Sequence, residues 1–265
     1  MPVSYAIIGA SRGIGLEYVR QLAARADATV FAVVRNKQRS THLQAAITNM
    51  NNVHVVEGDI VDYKSMQVWD EEVASLNDGK LDYLIHNAAK TDQKTVFHGF
   101  YDYPSMDELD ADLMDAFRVN TLGVVHSVTP FVPLLRAGPT KKIIVIGTGG
   151  GDPKAVLTVG IKNMVAYCAT KAAAVMVATK WALELKDEGF VVVTLTPGLV
   201  DTSGTMGDAA AQDNMAKAAD DFKSAGTRVV LESPESSVRQ QLLVIDGLKL
   251  EDNGRFLAHN GPSFV

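Results

Sequence analysis

Two groups of residues in this chain have the types and spacing that chemistry requires. The first is Tyr167-Cys168-Ala169-Thr170-Lys171, which places a phenol and an amine four residues apart. On a helix, positions i and i+4 share one face, so both side chains can converge on one ligand. A free phenol titrates near 10 and a lysine near 10.4, so neither moves protons readily at neutral pH. An ammonium held beside a phenol favours the phenolate and draws its pKa towards the working range, as general acid–base catalysis needs. Alone, the spacing is weak evidence in a chain with seven tyrosines.

The second group is Gly9-Ala10-Ser11-Arg12-Gly13-Ile14-Gly15, which follows the strand-like run Tyr5–Ile8 and opens a helical stretch. Here Gly9 can take the dihedrals of a tight turn, Gly13 lets the backbone approach a pyrophosphate, and Gly15 permits close packing of helix on strand. The helix N-terminus adds free N–H groups and the positive end of its dipole, so a phosphate is the ligand expected.

The elements that must hold these groups are legible as alternating patterns. Runs rich in Val and Ile at Tyr5–Ile8, Thr29–Val34, Val53–Glu57, Leu81–His86, Lys142–Gly147, Phe190–Thr196 and Arg255–Ala258 are separated by helical segments. This pattern predicts an α/β chain: a doubly wound, parallel, seven-stranded sheet with helices on both faces, a single-domain Rossmann fold over 1–265. Leu16, Val19 and Ala23 give Gly15–Ala26 one apolar face. Asp107–Leu135 reads as a long helical region that Pro130 and Pro133 should end or bend, and Tyr167–Lys186 as another, closed by Gly189. Loop signals at Gly149–Gly151 with Asp152-Pro153, and at Asp201–Gly207, follow strands at their carboxyl ends, where open α/β sheets bind ligands. They mark substrate loops at about 149–163 and 201–232. Ala209–Phe222 is Ala-rich and helix-prone, either a mobile cover or a plain surface helix.

Composition limits the partners. With 25 Lys and Arg against 31 Asp and Glu, the net charge of −6 offers no basic excess for a nucleic-acid backbone. No apolar run approaches the roughly 20 residues of a membrane helix, and Met1-Pro2-Val3-Ser4 lacks a secretory start. One cysteine cannot close an intrachain disulfide, so a soluble protein of the cytoplasm is expected. The six histidines are scattered without zinc-ligand spacing, and no metal is expected.

The glycine spacing G-x-x-x-G-x-G, with Asn87-Ala88-Ala89 after the fourth strand, Asn120 in Val119-Asn120-Thr121-Leu122-Gly123, the Tyr167/Lys171 pair and Pro197-Gly198-Leu199-Val200-Asp201-Thr202, resembles the short-chain dehydrogenase/reductase family. The resemblance covers essentially the whole chain. Ala89 stands where the family has glycine. Ser233-Pro234-Glu235-Ser236-Ser237-Val238 and Gly254-Arg255-Phe256-Leu257 look like the subgroup of sniffer carbonyl reductases and C-factor proteins. Such a resemblance implies hydride transfer between a nicotinamide and a carbonyl or secondary alcohol, with Tyr167 passing the proton. It further implies that Lys171 bonds the nicotinamide ribose, that Asn120 holds a water linking the lysine to solvent, and that Asp59 and Ile60 contact the adenine. Asn87, Ala88, Ala89, Pro197, Gly198, Val200 and Thr202 join the cofactor site on the same basis.

Where an acidic residue would bond a ribose 2′-hydroxyl, the second strand ends in Arg35-Asn36-Lys37. Arg35, helped by Arg12, can instead meet a 2′-phosphate with charge-assisted bonds, which favours NADP(H). The family's catalytic serine has Thr148 at the matching place, 19 residues before Tyr167, a longer interval than usual. A threonine can still donate to a carbonyl oxygen. Two alternatives stay open: a regulatory NADP-binding protein, and a non-redox isomerase or cyclase using the same acid–base group. Relatives form homodimers or homotetramers through the helices bearing Asn120 and Tyr167; the state of this chain is open.

Overall fold

The computed structural model describes residues 2–206 and 230–261, with single positions at 211, 213, 216 and 219. Most of Ala209–Phe222 therefore lies outside the described residues.

Nine strands occur among the described residues: β1 Val3–Ile8, β2 Ala28–Val34, β3 Val53–Glu57, β4 Tyr83–His86, β5 Lys142–Ile146, β6 Val191–Thr196, β7 Leu199–Val200, β8 Leu231–Glu232 and β9 Phe256–Ala258. Seven of them form the main parallel sheet in the order β3-β2-β1-β4-β5-β6-β9. Each of these seven lies within two residues of its expected bounds. The short β7 and β8 pair with each other in a separate parallel ladder that follows the end of β6. The α-helices whose bounds lie among the described residues are α1 Gly13–Ala23, α2 Thr41–Ile47, α3 Tyr63–Leu76, α4 Met106–Phe117, α5 Gly123–Ala137, α6 Pro153–Val159, α7 Val165–Glu184 and α8 Pro234–Asp246.

The strands are apolar on both faces because both faces are covered. On one side Ile8, Phe31, Leu84 and Val145 pack with Trp69, Phe131 and Ala178 from α3, α5 and α7. On the other, Ile7, Val30, Ile85 and Ile144 pack with Leu16, Leu22, Leu242 and Ile245 from α1 and α8. Both clusters exclude water, and this apolar burial is the main stabilising term of the fold.

Two expectations change. The region 107–135 is α4 and α5 joined by a π-helical turn at Arg118–Leu122. Pro130 and Pro133 then lie inside α5, which runs on to Ala137. Pro133 faces solvent, where the carbonyl it leaves unpaired can be hydrated. The glycine-rich loop after β5 also contains a helix, α6. Asp152 caps it, accepting from the Ala155 amide at 2.7 Å, Pro153 opens it, and left-handed Gly160 closes it. None of the α6 residues is buried, and Leu157 is 83% exposed. Among the described residues no helix is long and apolar enough to cross a membrane.

Candidate active site

The strand order reverses direction between β1 and β4, the kind of switch point at which open α/β sheets bind ligands, and the segments that follow β1, β4, β5 and β6 carry many of the expected site residues. The Gly9 and Ala10 amides donate to Val33 O at 3.0 and 3.1 Å, fixing the glycine turn beside the end of β2. Gly9 has φ +86°, and a Cβ there would meet Ala88 Cα at 2.7 Å. A Cβ on Gly15 would meet Gly9 O at 2.1 Å. Asn87 Nδ2 donates to Gly9 O at 3.0 Å, so the post-β4 segment supports the turn from behind. The amides of Ser11, Ile14 and Gly15 donate to no partner among the described residues. That of Gly13 donates to Thr205 Oγ1 at 2.9 Å.

Arg12 and Arg35 are both exposed, and neither makes an ion pair among the described residues. Asp59 and Ile60 follow β3, as expected from the sequence. Asp59 Oδ1 accepts the Val61 amide at 3.1 Å, while Ile60 O accepts His126 Nδ1–H at 2.7 Å and its side chain packs on Gly123. After β6, Pro197 O accepts from Ser237 Oγ at 2.7 Å, Gly198 has φ +81° beneath the His259 ring, and Val200 is buried. The Thr202 methyl sits 3.2 Å from the place of a Gly13 Cβ, which puts Thr202 against the glycine turn. Ala89 is half-buried between Ala88 and Lys90.

Tyr167 and Lys171 lie on the first turns of α7. The Tyr167 hydroxyl has no hydrogen-bond partner among the described residues, and burial, followed by the nearby Cys168 thiol, raises its pKa. Lys171 is 2% exposed and donates from Nζ to Ile146 O at 2.7 Å. Burial lowers its pKa to about 8. The expected downward pull of the ammonium on the phenol is not among the causes of the Tyr167 shift, and desolvation favours the neutral form of both groups. A phenol held neutral carries the proton that a carbonyl reduction consumes. His86 supplies no competing acid: burial, then the charge of Lys171, push its pKa down to about 3.

Thr148 follows β5 and accepts the Gly150 amide at 3.2 Å, which leaves its O–H proton free to donate. The turn Gly149–Gly151 lies against α7, where a Cβ on Gly150 would meet Cys168 Sγ at 2.6 Å and one on Gly151 the Ala172 amide at 3.2 Å. Bare glycine backbone therefore brings Thr148 close to the helix of Tyr167. Cys168 is half-buried, and burial pushes its thiol up to about 11, as befits a packing residue.

Asn120 is fully buried in the π-helical turn. Its Oδ1 accepts the Lys90 amide at 2.8 Å and its Nδ2 donates to Thr170 Oγ1 at 2.9 Å. One acceptor and one donor position of the side chain are thus bonded to protein, so it braces α7 against the segment after β4. Sequence reasoning missed the neighbours of this brace. Lys90 Nζ meets Asp112 and Asp115, each at 2.7 Å, and Asp112 also accepts from Thr95 and Tyr103 at 3.0 and 2.6 Å. Only the position of Lys90 directly after Asn87-Ala88-Ala89 hinted at it. Among the described residues no group of His, Cys, Asp and Glu is placed to hold a metal ion.

Residues 5–213 match the family model described as short chain dehydrogenase. The chain belongs to this short-chain dehydrogenase family. Among its relatives, the short-chain dehydrogenase/reductase atnB of Arthrinium sp is 37% identical, with 97% of each chain covered. The short-chain dehydrogenase/reductase AacuF of Aspergillus aculeatus is 35% identical over the same shares. Its fold is that of NADPH-bound carbonyl reductase from chicken fatty liver, at TM-score 0.79 and 24% identity over all of both chains. It is likewise that of the carbonyl reductase Sniffer of D. melanogaster, at TM-score 0.79 and 20% identity with 99% of each chain covered. As a short-chain dehydrogenase the chain is an oxidoreductase by family, and α6 lies in the interval between Thr148 and Tyr167.

Proposed function

We propose that the protein is an NADP(H)-dependent reductase of small carbonyl compounds, acting within one domain over 1–265. The observation that carries the reading is the Tyr167 hydroxyl, without a hydrogen-bond partner among the described residues and held protonated by burial, one helical turn from buried Lys171 on α7. The residues present fit a dinucleotide: the cradle at Gly9, Gly13 and Gly15 admits no Cβ on two of its three sides, and open amides line the start of α1. Ser11, Ile14 and Gly15 would hold the pyrophosphate through their amides, backed by the helix dipole. Ala88, Ala89, Pro197, Gly198, Val200 and Thr202 wall the cleft, with Asp59 and Ile60 at its adenine end.

Arg12 and Arg35, which make no ion pair among the described residues, follow the ends of β1 and β2, where a 2′-phosphate is the complementary charge. The NADPH carried by the chicken liver carbonyl reductase agrees with that choice. When bound, the dinucleotide supplies the hydride. The chain's own part is to orient the carbonyl with Thr148, deliver the proton from Tyr167 Oη, and hold Lys171 and Asn120 in register behind it. A cytoplasmic location and a homodimer or homotetramer built on the helices around Asn120 and Tyr167 complete the reading.

Purified protein incubated with aldehydes, ketones and quinones should oxidise NADPH faster than NADH. Tyr167→Phe should lower that turnover by roughly 10²–10⁴-fold while NADPH binding persists. Equal turnover by the variant removes Tyr167 as the acid.

A further inference from the structure

One carboxylate gathers the segment between β4 and α4. Asp112 stands on α4 with its side chain only 9% exposed, and both of its oxygens are used. Its Oδ1 accepts Lys90 Nζ at 2.7 Å and Thr95 Oγ1 at 3.0 Å, and its Oδ2 accepts Tyr103 Oη at 2.6 Å. These donors come from the beginning, middle and end of the segment 90–103. The Tyr103 ring also stands edge-on to the His98 ring at 4.9 Å. Burial raises the Asp112 carboxyl, but the bonds from Lys90, Tyr103 and Thr95 outweigh it and hold the group below the usual carboxylate range. The anion is therefore the form that binds them.

The gathered segment grips α7 on both sides of Tyr167. His98 O accepts the Val165 amide at 3.0 Å. The Lys90 amide bonds Asn120, whose Nδ2 donates to Thr170 Oγ1 at 2.9 Å, and Thr170 directly precedes Lys171. The same segment abuts two other loops. Gln93 Nε2 donates to Met206 Sδ at 3.3 Å, and a Cβ on Gly99 would lie 3.4 Å from Lys162 O, beyond α6.

We propose that Asp112 is a positioning residue for the reductase reaction: by fixing the segment 90–103 it holds α7 at Val165 and Thr170, and so sets where the Tyr167 hydroxyl meets the carbonyl. This inference rests on the reductase reading above and adds to it a residue that acts only through others. Alignment is what such a hold protects, since a displacement of about 1 Å at the reacting groups can cost roughly 10²-fold in rate. Charge-assisted hydrogen bonds are roughly twice as strong as neutral ones, so a carboxylate keeps a geometry that a neutral acceptor lets drift. Lys90 also meets Asp115 at 2.7 Å, but that side chain is 58% exposed, and an exposed pair contributes little. Asp112 is the partner that anchors the lysine.

Asp112→Asn keeps the shape and one acceptor oxygen but removes the charge that anchors Lys90. With NADPH and an aromatic ketone that the wild type reduces, this variant of the full chain should lose about 10- to 100-fold in kcat with a smaller change in KM. Its affinity for NADPH alone, followed by the fluorescence of the nucleotide, should stay within about two-fold of the wild type. Amide hydrogen exchange should quicken over 90–103 and 165–170 and stay as it was over 9–15. Asp112→Glu, which restores the charge, should recover part of kcat, and Tyr103→Phe, which keeps the ring on His98, should lower it by less than Asp112→Asn does. Wild-type kcat in Asp112→Asn, or unchanged exchange over 165–170, overturns the proposal. So does a loss of NADPH binding as large as the loss of kcat, which marks a side chain that merely supports the fold. If Asp112→Asn does not fold, Tyr103→Phe carries the same readouts, and wild-type kcat and exchange in that protein overturn the proposal. A wild type that binds NADPH yet reduces no carbonyl sinks the reductase reading, and the exchange comparison still decides whether Asp112 holds α7.

Discussion

Lys171 shows how much a single burial decides. Its ammonium is nearly free of water and bonded to one carbonyl, and its pKa falls from 10.5 to about 8. Between those values the folded chain binds fewer protons at this site than the unfolded chain does, so stability rises with pH across the window. The contribution is present in full above about 10.5 and is lost as pH falls through about 8. Thermal unfolding compared between wild type and Lys171→Met should show the wild type gaining relative stability from pH 8 to 10. A difference that stays flat with pH means that Lys171 is solvated in the folded state. The residue pair itself was legible from spacing four apart on a helix. The effect of burial on both groups was not, because it depends on packing that only the assembled chain provides.

At the scale of elements, the site is a set of chain ends held at fixed separation by glycine. Gly15 lies on the first turn of α1 with the Gly9 carbonyl where its Cβ would go. Gly15→Ala should therefore lower stability by about 1–3 kcal/mol, as overpacking does, and weaken NADPH binding at least as much by pushing α1 off the turn. Calorimetric unfolding and the NADPH titration check the two parts, and wild-type values of both in the Gly15→Ala protein would show that the turn yields freely. The glycine turn was readable because its spacing is local. The helix α6 was also written locally, in Asp152 at the cap position and Pro153 at the first helical position, but the preceding glycines pointed to a loop. Asn120 reads as a functional residue by its motif. Its commitment to Lys90 and Thr170 joins partners 30 and 50 residues away, and spacing along the chain carries no record of them.

For the whole molecule, one parallel sheet covered on both faces sets the architecture, and its alternation of strands and helices was visible in the sequence from end to end. The order β3-β2-β1-β4-β5-β6-β9 brings the ends of β1, β4, β5 and β6 side by side, and the glycine turn, Ala88, Thr148 and Thr202 follow those ends. The two core clusters hold these ends in place from both faces of the sheet. The account as a whole stands on hydride transfer across this crevice. The most direct measurement uses NADPH deuterated on the transferring face of the nicotinamide, with a ketone that the protein turns over, and mass analysis of the alcohol. The account predicts one deuterium on the carbinol carbon for each NADPH consumed. An unlabelled product formed with NADPH left intact would contradict it and would make the bound dinucleotide a scaffold.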